Sequence, residues 1–397
     1  MNRPLENLVV IEFTHAVMGP SAGMILADLG ANVIRIEPIG GDPTRELKGM
    51  GAGYSAFYNR NKKSICIDLK NTQGKQIALD MATKADVVIE NFAPGTMERL
   101  GLSYDVMREL NDQIIYCSLK GFLTGPFEKR LAMDEVVQMM GGLAYMTGPA
   151  GKPLRAGTSI IDIAGGMFGV IGILSAVNQR QLSGVGCHVQ SSLFETTAFS
   201  MGQHMAAQAL TGEPVPPMPE RVSAWSIYQV FKTKDKGSLF IGIISDKQWE
   251  RFVAKIDIPD LVKQPDLSTN KMRVAARPWL IPKLEDHIKS LNLSVITNIC
   301  DEANVCFAPV SKPEDLFNNE HLNQSDGLLE TNLNATTKSM MPNLPLAING
   351  ERVTLRRNPP SAGSDTDEVL KSFIGLSVEA LNNLKKHGVI GKANVQE

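Results

Sequence analysis

The feature that most constrains this chain is an alternation. Over its first two hundred residues, short β-branched runs take turns with stretches of helical periodicity. Strands joined by helices must cross back over the sheet, so the pattern predicts a mostly parallel sheet covered by helices. Strands are expected at residues 8–13 (LVVIEF), 32–37 (NVIRIE), 64–68, 86–90 and 114–118, and helices at 20–29, 72–83 and 103–111. Longer helices are expected at 134–146, 161–182 and 191–210.

At 397 residues the chain exceeds the size at which a single core stops growing, which points to two domains. Pro214, Pro216, Pro217 and Pro219 cannot continue a helix and suit an extended linker, so a boundary is placed at residues 214–220. Residues 221–327 then read as a smaller α/β domain with a return linker: strands at 228–231 and 239–244, helices at 248–256, 274–290 and 294–303. The tail, 328–397, is strand-like and then helical at 365–374 and 377–387, and is assigned back to residues 1–213 as one large domain.

Forty Lys+Arg against 42 Asp+Glu leave a net charge of −2, so no global field attracts nucleic acid or an anionic membrane, and neither is expected as a partner. Five cysteines, an odd number without CxxC spacing, argue against a disulfide framework and a cysteine-built zinc site. They read as reduced thiols in a cytoplasmic protein, with no metal. The start, MNRPLENLVVIEF, has no apolar stretch followed by a small-residue cleavage site. The longest apolar run, residues 163–177, is glycine-rich and falls short of the roughly 20 residues of a membrane span, so a buried helix is expected.

Four features carry candidate chemistry. The loop THAVMGPSAG joins the first strand to the first helix, where N–H groups could receive a phosphate or carboxylate; a plain tight turn fits as well. Pro20 removes one N–H and the GxGxxG spacing is missing, which excludes a nicotinamide-type fingerprint. His15 has no Ser or Cys nucleophile paired with it in sequence and reads as structural. Residues 59–63 (NRNKK) are either a solvated basic loop or a phosphate clamp. Asp162 opens a nearly uncharged helix whose Gly165, Gly169 and Gly172 permit close approach. Locally it reads as an N-cap; alternatively the helix N-terminus keeps its carboxylate ionised and aimed at a bound acyl group. Met139-Met140 and Met340-Met341 read as packing.

The segments IEFTHAVMGPSAGMILADLGANVIRIE, GDPTR, NRNKKSICIDLK, ADVVIENFAPGTMERLGLSYD, IIYCSLKGF and DEVVQMMGG, in this order, resemble the class III CoA-transferases, the family of formyl-CoA transferase and carnitine CoA-transferase relatives. The likeness covers nearly all of the first two hundred residues; beyond residue 220 it rests on ISDKQWERF and NVCFAPV. It implies a Rossmann-like open parallel sheet in the large domain, a smaller α/β domain and an interlaced homodimer. Asp162 falls at the position of the family's nucleophile. The implied reaction moves CoA from an acyl-CoA donor to a small carboxylic acid, through aspartyl anhydrides and an aspartyl-CoA thioester. The positions matching the family's CoA site are Val17, Ile67, Asp68, Leu69, Lys70, Asn91, Phe92, Ala93, Arg99, Leu131, Ala132, Met133 and Asp134, with Arg99 and Lys70 as partners for the CoA phosphates. CoA and acyl-CoA are substrates in this scheme, and no permanently bound cofactor is implied.

The sequence departs from the family pattern at Val17 (commonly Gln), Pro38 (Arg) and Leu131 (Lys), and a glycine-rich gating loop is not evident, so formyl or oxalate chemistry is not implied. A 2-methylacyl-CoA racemase shares the fold but needs a histidine base where this chain has Met133, and a thioether cannot exchange protons. A nucleotide-dependent oxidoreductase is opposed by the missing GxGxxG, and a CoA-binding protein without turnover by the presence of Asp162.

Overall fold

Runs such as VVIEF and VVIE are apolar on both alternating faces, the pattern of strands buried between two helical layers. The computed structural model describes residues 3–221, 223–262 and 264–392. Two compact units divide the chain: the N-terminal 220 residues with Glu320 onwards, and Arg221–Asn319.

In the larger unit the strands β1 (Val9–Phe13), β2 (Asn32–Glu37), β3 (Lys63–Ile67), β4 (Val87–Glu90), β5 (Ile115–Lys120) and β6 (His188–Ser192) form a parallel sheet. The spatial order is 3-2-1-4-5-6, extended beyond β3 by the antiparallel two-residue strand Ile390–Gly391. Chain direction across the sheet therefore reverses between β1 and β4. In an open α/β sheet the crevice outside the carboxyl ends of those two strands is where ligands bind.

Helices cover both faces: α1 (Met18–Asp28), α2 (Ala52–Tyr58), α3 (Thr72–Ala82), α4 (Thr96–Leu100), α5 (Tyr104–Leu110), α6 (Asp134–Met140), α7 (Leu143–Thr147), α8 (Ile160–Ser183) and α9 (Leu193–Ser200), with the exposed α10 (Gly202–Thr211) following α9. Alternate strand residues feed two cores. Ile11, Ile34, Ile65 and Val88 pack with Ile77 and Met81 of α3, Met107 of α5, and Leu370, Leu381 and Leu384 from the tail. Val10, Val33, Val87 and Ile115 pack with Ala22 and Leu26 of α1 and Val170 and Ile173 of α8.

Three expectations are corrected in this unit. The helix expected from residue 191 instead follows a sixth strand, His188–Ser192, which sequence does not mark because HVQSS has one β-branched residue and no apolar alternation. Its strand form comes from tertiary pairing with β5, from Tyr116 opposite His188 to Lys120 opposite Ser192. The helix expected at 134–146 is two, α6 and α7, broken at Gly141-Gly142, where Gly142 has φ +84°. The helix expected at 191–210 breaks at Met201 into α9 and α10. The apolar run at 163–177 lies within the 24-residue α8, which is long and apolar enough to cross a membrane by length and composition. Its length alone thus decides nothing. One stripe, including Ile161, Gly165, Gly166, Gly169 and Val170, is buried against the rest of the unit.

The smaller unit is an antiparallel sheet of β7 (Ile227–Lys232), β8 (Ser238–Ile243) and β9 (Cys306–Pro309) in that order. Trp249, Phe252, Leu280, Leu284 and Ile296 from its helices close the core over Phe231, Leu239 and Ile241. The third strand was not expected: CFAP is short, and β8 recruits it.

Candidate active site

The turn after β1 carries Ala16 in the left-handed region, φ +59°, and runs straight into α1 at Met18. It is tied to the loop after β4 by a reciprocal pair: the His15 N–H donates to Asn91 Oδ1 at 2.9 Å, and Asn91 Nδ2 donates to the His15 carbonyl at 3.0 Å. The His15 ring stacks on Phe92 with centroids 5.7 Å apart. Burial lowers the His15 pKa, the Asp42 charge opposes this and Arg35 adds to it. The two loops at the switch point are thus locked, and they form one wall of a cavity of about 700 Å³.

The opposite wall comes from residues 130–136, Arg155 and the first turn of α8, with Asp162 as its third residue. Glycines bring this helix in. A Cβ at Gly165 would stand 2.6 Å from Met18 Cε, and one at Gly169 2.7 Å from Leu119 Cδ2. Without side chains at these positions α8 lies directly on α1 and β5, which sets Asp162 beside the N-terminus of α1.

The N-cap reading of Asp162 is corrected by Asp134. Buried at the start of α6, Asp134 accepts through Oδ2 from the N–H groups of Ile161 (2.8 Å) and Asp162 (3.1 Å), and through Oδ1 from Gln138 Nε2. The fully buried Gln138 in turn accepts from the Ala156 N–H at 2.8 Å. The helix start is therefore capped from another helix, and the Asp162 carboxylate is not spent on it. Among the described residues no hydrogen bond to that carboxylate is found.

Burial first, then the neighbouring Asp134 charge, push the Asp162 pKa up to about 7, opposed only in part by Arg155. Tyr58 feels the same group: burial and the Asp162 charge push its phenol up to about 12. Carboxylates with so little counter-charge at the edge of a cavity are candidates for a functional role.

Comparison with known proteins gives the family. The model of CoA-transferase family III matches residues 5–366. This chain belongs to CoA-transferase family III. The acetyl-CoA:oxalate CoA-transferase of Acetobacter aceti is 35% identical over 357 residues, covering 87% of this chain and 90% of that protein. The human succinyl-CoA:glutarate CoA-transferase is 29% identical, covering 98% and 90%. Among solved structures, a CAIB/BAIF family protein from Brucella suis superposes with a TM-score of 0.84 at 28% identity, covering 94% of this chain and all of that one. The chain is thus an enzyme, a CoA-transferase.

Within this transferase the structure brings Val17, Asn91, Phe92, Ala93, Leu131, Ala132, Met133 and Asp134 together with Asp162 around one cavity. Val17 is buried, whereas Leu131 and Met133 are 73% and 67% exposed. Ile67, Asp68, Leu69, Lys70 and Arg99 do not line it. Ile67 is buried at the end of β3, the Asp68 N–H donates to Val389 O, Leu69 packs on the core, and Lys70 is exposed. Arg99 is exposed on α4 and donates to Thr96 Oγ1.

The basic loop at 59–63 is no phosphate clamp. Arg60 grips Asp28 through Nε and Nη2, and buried Lys62 donates to Glu12 Oε1 (3.0 Å), Pro20 O and Asn59 Oδ1. Lys63 pairs with Glu368. Arg155, Gln138 and Tyr54 at or behind the cavity were not found from sequence, because nothing in their spacing marks them and only the fold brings them there. Among the described residues, no three His, Cys, Asp or Glu side chains group as a metal site.

Proposed function

We propose that this enzyme moves CoA from an acyl-CoA donor to a small carboxylic acid, with Asp162 as the covalent carrier. The observation that carries this is the Asp162 carboxylate itself: positioned by a cap from Asp134, without a salt-bridge partner among the described residues, and facing the switch-point cavity. An Asp162 oxygen attacks the donor thioester carbonyl, the C–S bond breaks, and CoA leaves as thiolate with a mixed anhydride behind it. The thiolate then attacks the Asp162 carbonyl, releasing the donor acid and giving an aspartyl-CoA thioester. The acceptor carboxylate attacks that thioester, forming a second anhydride and freeing the thiolate again. Attack of the thiolate on the acceptor's acyl carbon gives the new acyl-CoA and restores the Asp162 carboxylate.

Relatives named for succinate, glutarate, oxalate and malate chemistry favour acids of this small, dicarboxylic kind. For CoA we assign the cavity residues above to the thioester end. Lys70 and Arg99, which follow the carboxyl ends of β3 and β4, are assigned to its phosphates. Hydroxylamine trapping after incubation with acyl-CoA should place the label on Asp162 by mass spectrometry. Full transfer by Asp162→Ala would overturn the proposal.

We further propose a homodimer. Met167, Phe168 and Ile171 on α8, Phe199 on α9 and Leu210 on α10 are exposed, and Phe168 and Phe199 meet edge to face, an apolar surface that a second copy of the chain could cover. Light scattering should give twice the chain mass; a stable monomer would contradict it.

A further inference from the structure

A dicarboxylic substrate presents one carboxyl to the nucleophile and needs a cation for the other. Three cations border the cavity: Lys120, Arg130 and Arg155. Lys120 is committed, its Nζ donating to Glu90 Oε2 at 2.6 Å and Phe92 O at 2.8 Å. Arg130 is exposed and lies over the Phe127 ring. Arg155 differs from both. Its Nε donates to its neighbour's carbonyl, Ala156 O, and its Nη1 to Glu135, while Nη2 is buried with no hydrogen-bond partner.

The unpartnered Nη2 stands 3.8 Å from Asp134 Oδ1, beyond hydrogen-bond reach, and both Asp134 oxygens are already accepting elsewhere. Asp134 thus lies between the guanidinium and the Asp162 N–H, and Arg155 and Asp162 line the same cavity. The Glu135 carboxylate already pairs with one arm of this guanidinium, Nη1, and its side chain is 56% exposed. An exposed ion pair of this kind is weak and exchanges readily.

We propose that Arg155 anchors the second carboxylate of a dicarboxylic substrate and that Glu135 holds its guanidinium until that carboxylate displaces it. This rests on the CoA-transfer reading above and names its substrate class. A planar guanidinium takes a carboxylate in two parallel N–H bonds, and such charge-assisted pairs are strong where water is excluded. A monocarboxylic acid, or a diacid with its far end capped as an amide, makes no such pair.

The test uses the full-length enzyme with acetyl-CoA as donor and compares succinate with succinamate as acceptors. In Arg155→Gln the ratio of kcat/KM for succinate over succinamate should fall by about tenfold or more, and Arg155→Lys should restore part of it. In Glu135→Gln, where the competing carboxylate is gone, KM for succinate should drop by more than KM for succinamate. An unchanged ratio in Arg155→Gln, or a KM for succinate that rises in Glu135→Gln, overturns the assignment while CoA transfer itself stands. A wild-type enzyme that transfers CoA to neither acid nor back to acetate overturns the transfer reading, and this assignment with it.

Discussion

Two carboxyls of the larger unit, the buried Glu37 and the half-buried Asp162, have opposite fates. Glu37, at the end of β2, meets Arg45 in a bidentate pair of 2.6 and 2.7 Å, accepts from Ser64, and has Arg35 Nη1 at 3.9 Å. Burial alone would raise its pKa, yet these cations hold it down to about 2. Asp162 is half-buried, but its nearest charge partners are another carboxylate and a single arginine already engaged with Glu135, and its pKa rises to about 7. Burial penalises both; the supply of counter-charge decides the outcome. The chain spends its cations along the first three strands and leaves Asp162 under-compensated, which suits a group that must become part of a covalent bond.

The largest expected effect separates reaction from structure. Asp162→Ala should cut CoA transfer by about 10³-fold or more in a steady-state assay, without loss of thermal stability. An equally large loss in a stable Glu37→Gln enzyme would erase the distinction between the two carboxyls. Glu37→Gln should instead cost about 3–5 kcal/mol in urea denaturation at pH 7, since it takes from the largely buried Arg45 its bidentate carboxylate, while Arg35 keeps Asp42. That cost should shrink as the pH falls through the native pKa of about 2, because stability from a depressed carboxyl is present above its unfolded value and lost on acidification.

Asp162 should show the reverse sign. Its pKa is raised on folding, so the stability it allows is full below the unfolded value near 4 and is lost as pH rises towards about 7. The melting temperature of Asp162→Asn should match wild type at pH 4 and exceed it at pH 8. A variant less stable at pH 8 would show that the carboxylate is structurally paired after all.

Asp134→Ala removes the acceptor for two N–H groups of α8 and should cost about 1–2 kcal/mol, with a lower kcat. The smallest expected effect is a displacement. In wild type kcat/KM should fall as pH drops through about 7, since the free enzyme must ionise Asp162. The groups bearing on that carboxyl are Asp134, Arg155 and Tyr58. Asp134→Asn removes the repelling charge and should move this limb to lower pH; a limb that stays in place would assign it to another group.

Much of the sheet was legible because strands buried on both faces write themselves as uninterrupted apolar runs, as Val87–Glu90 does. β6 was not, because HVQSS is polar and owes its form to the edge of β5. For the site, ordered motifs indicated Asp162 and its neighbours Asn91 to Ala93, while Arg155 and Gln138 carry no local pattern at all. The basic loop at 59–63 misled because sequence shows three cations but not the buried carboxylates of Glu12 and Asp28 that meet two of them.

By itself the sequence determined the family, the alternation that makes a parallel sheet, and the glycines that let α8 approach α1. Tertiary structure alone decided that Asp134 rather than Asp162 caps α8, and that Asp162 is left near neutrality. Helix propensity and apolar periodicity are local, written within a few residues of one another. Capping from another helix and the balance of buried charge depend on groups dozens of residues apart, which meet only when the chain is folded.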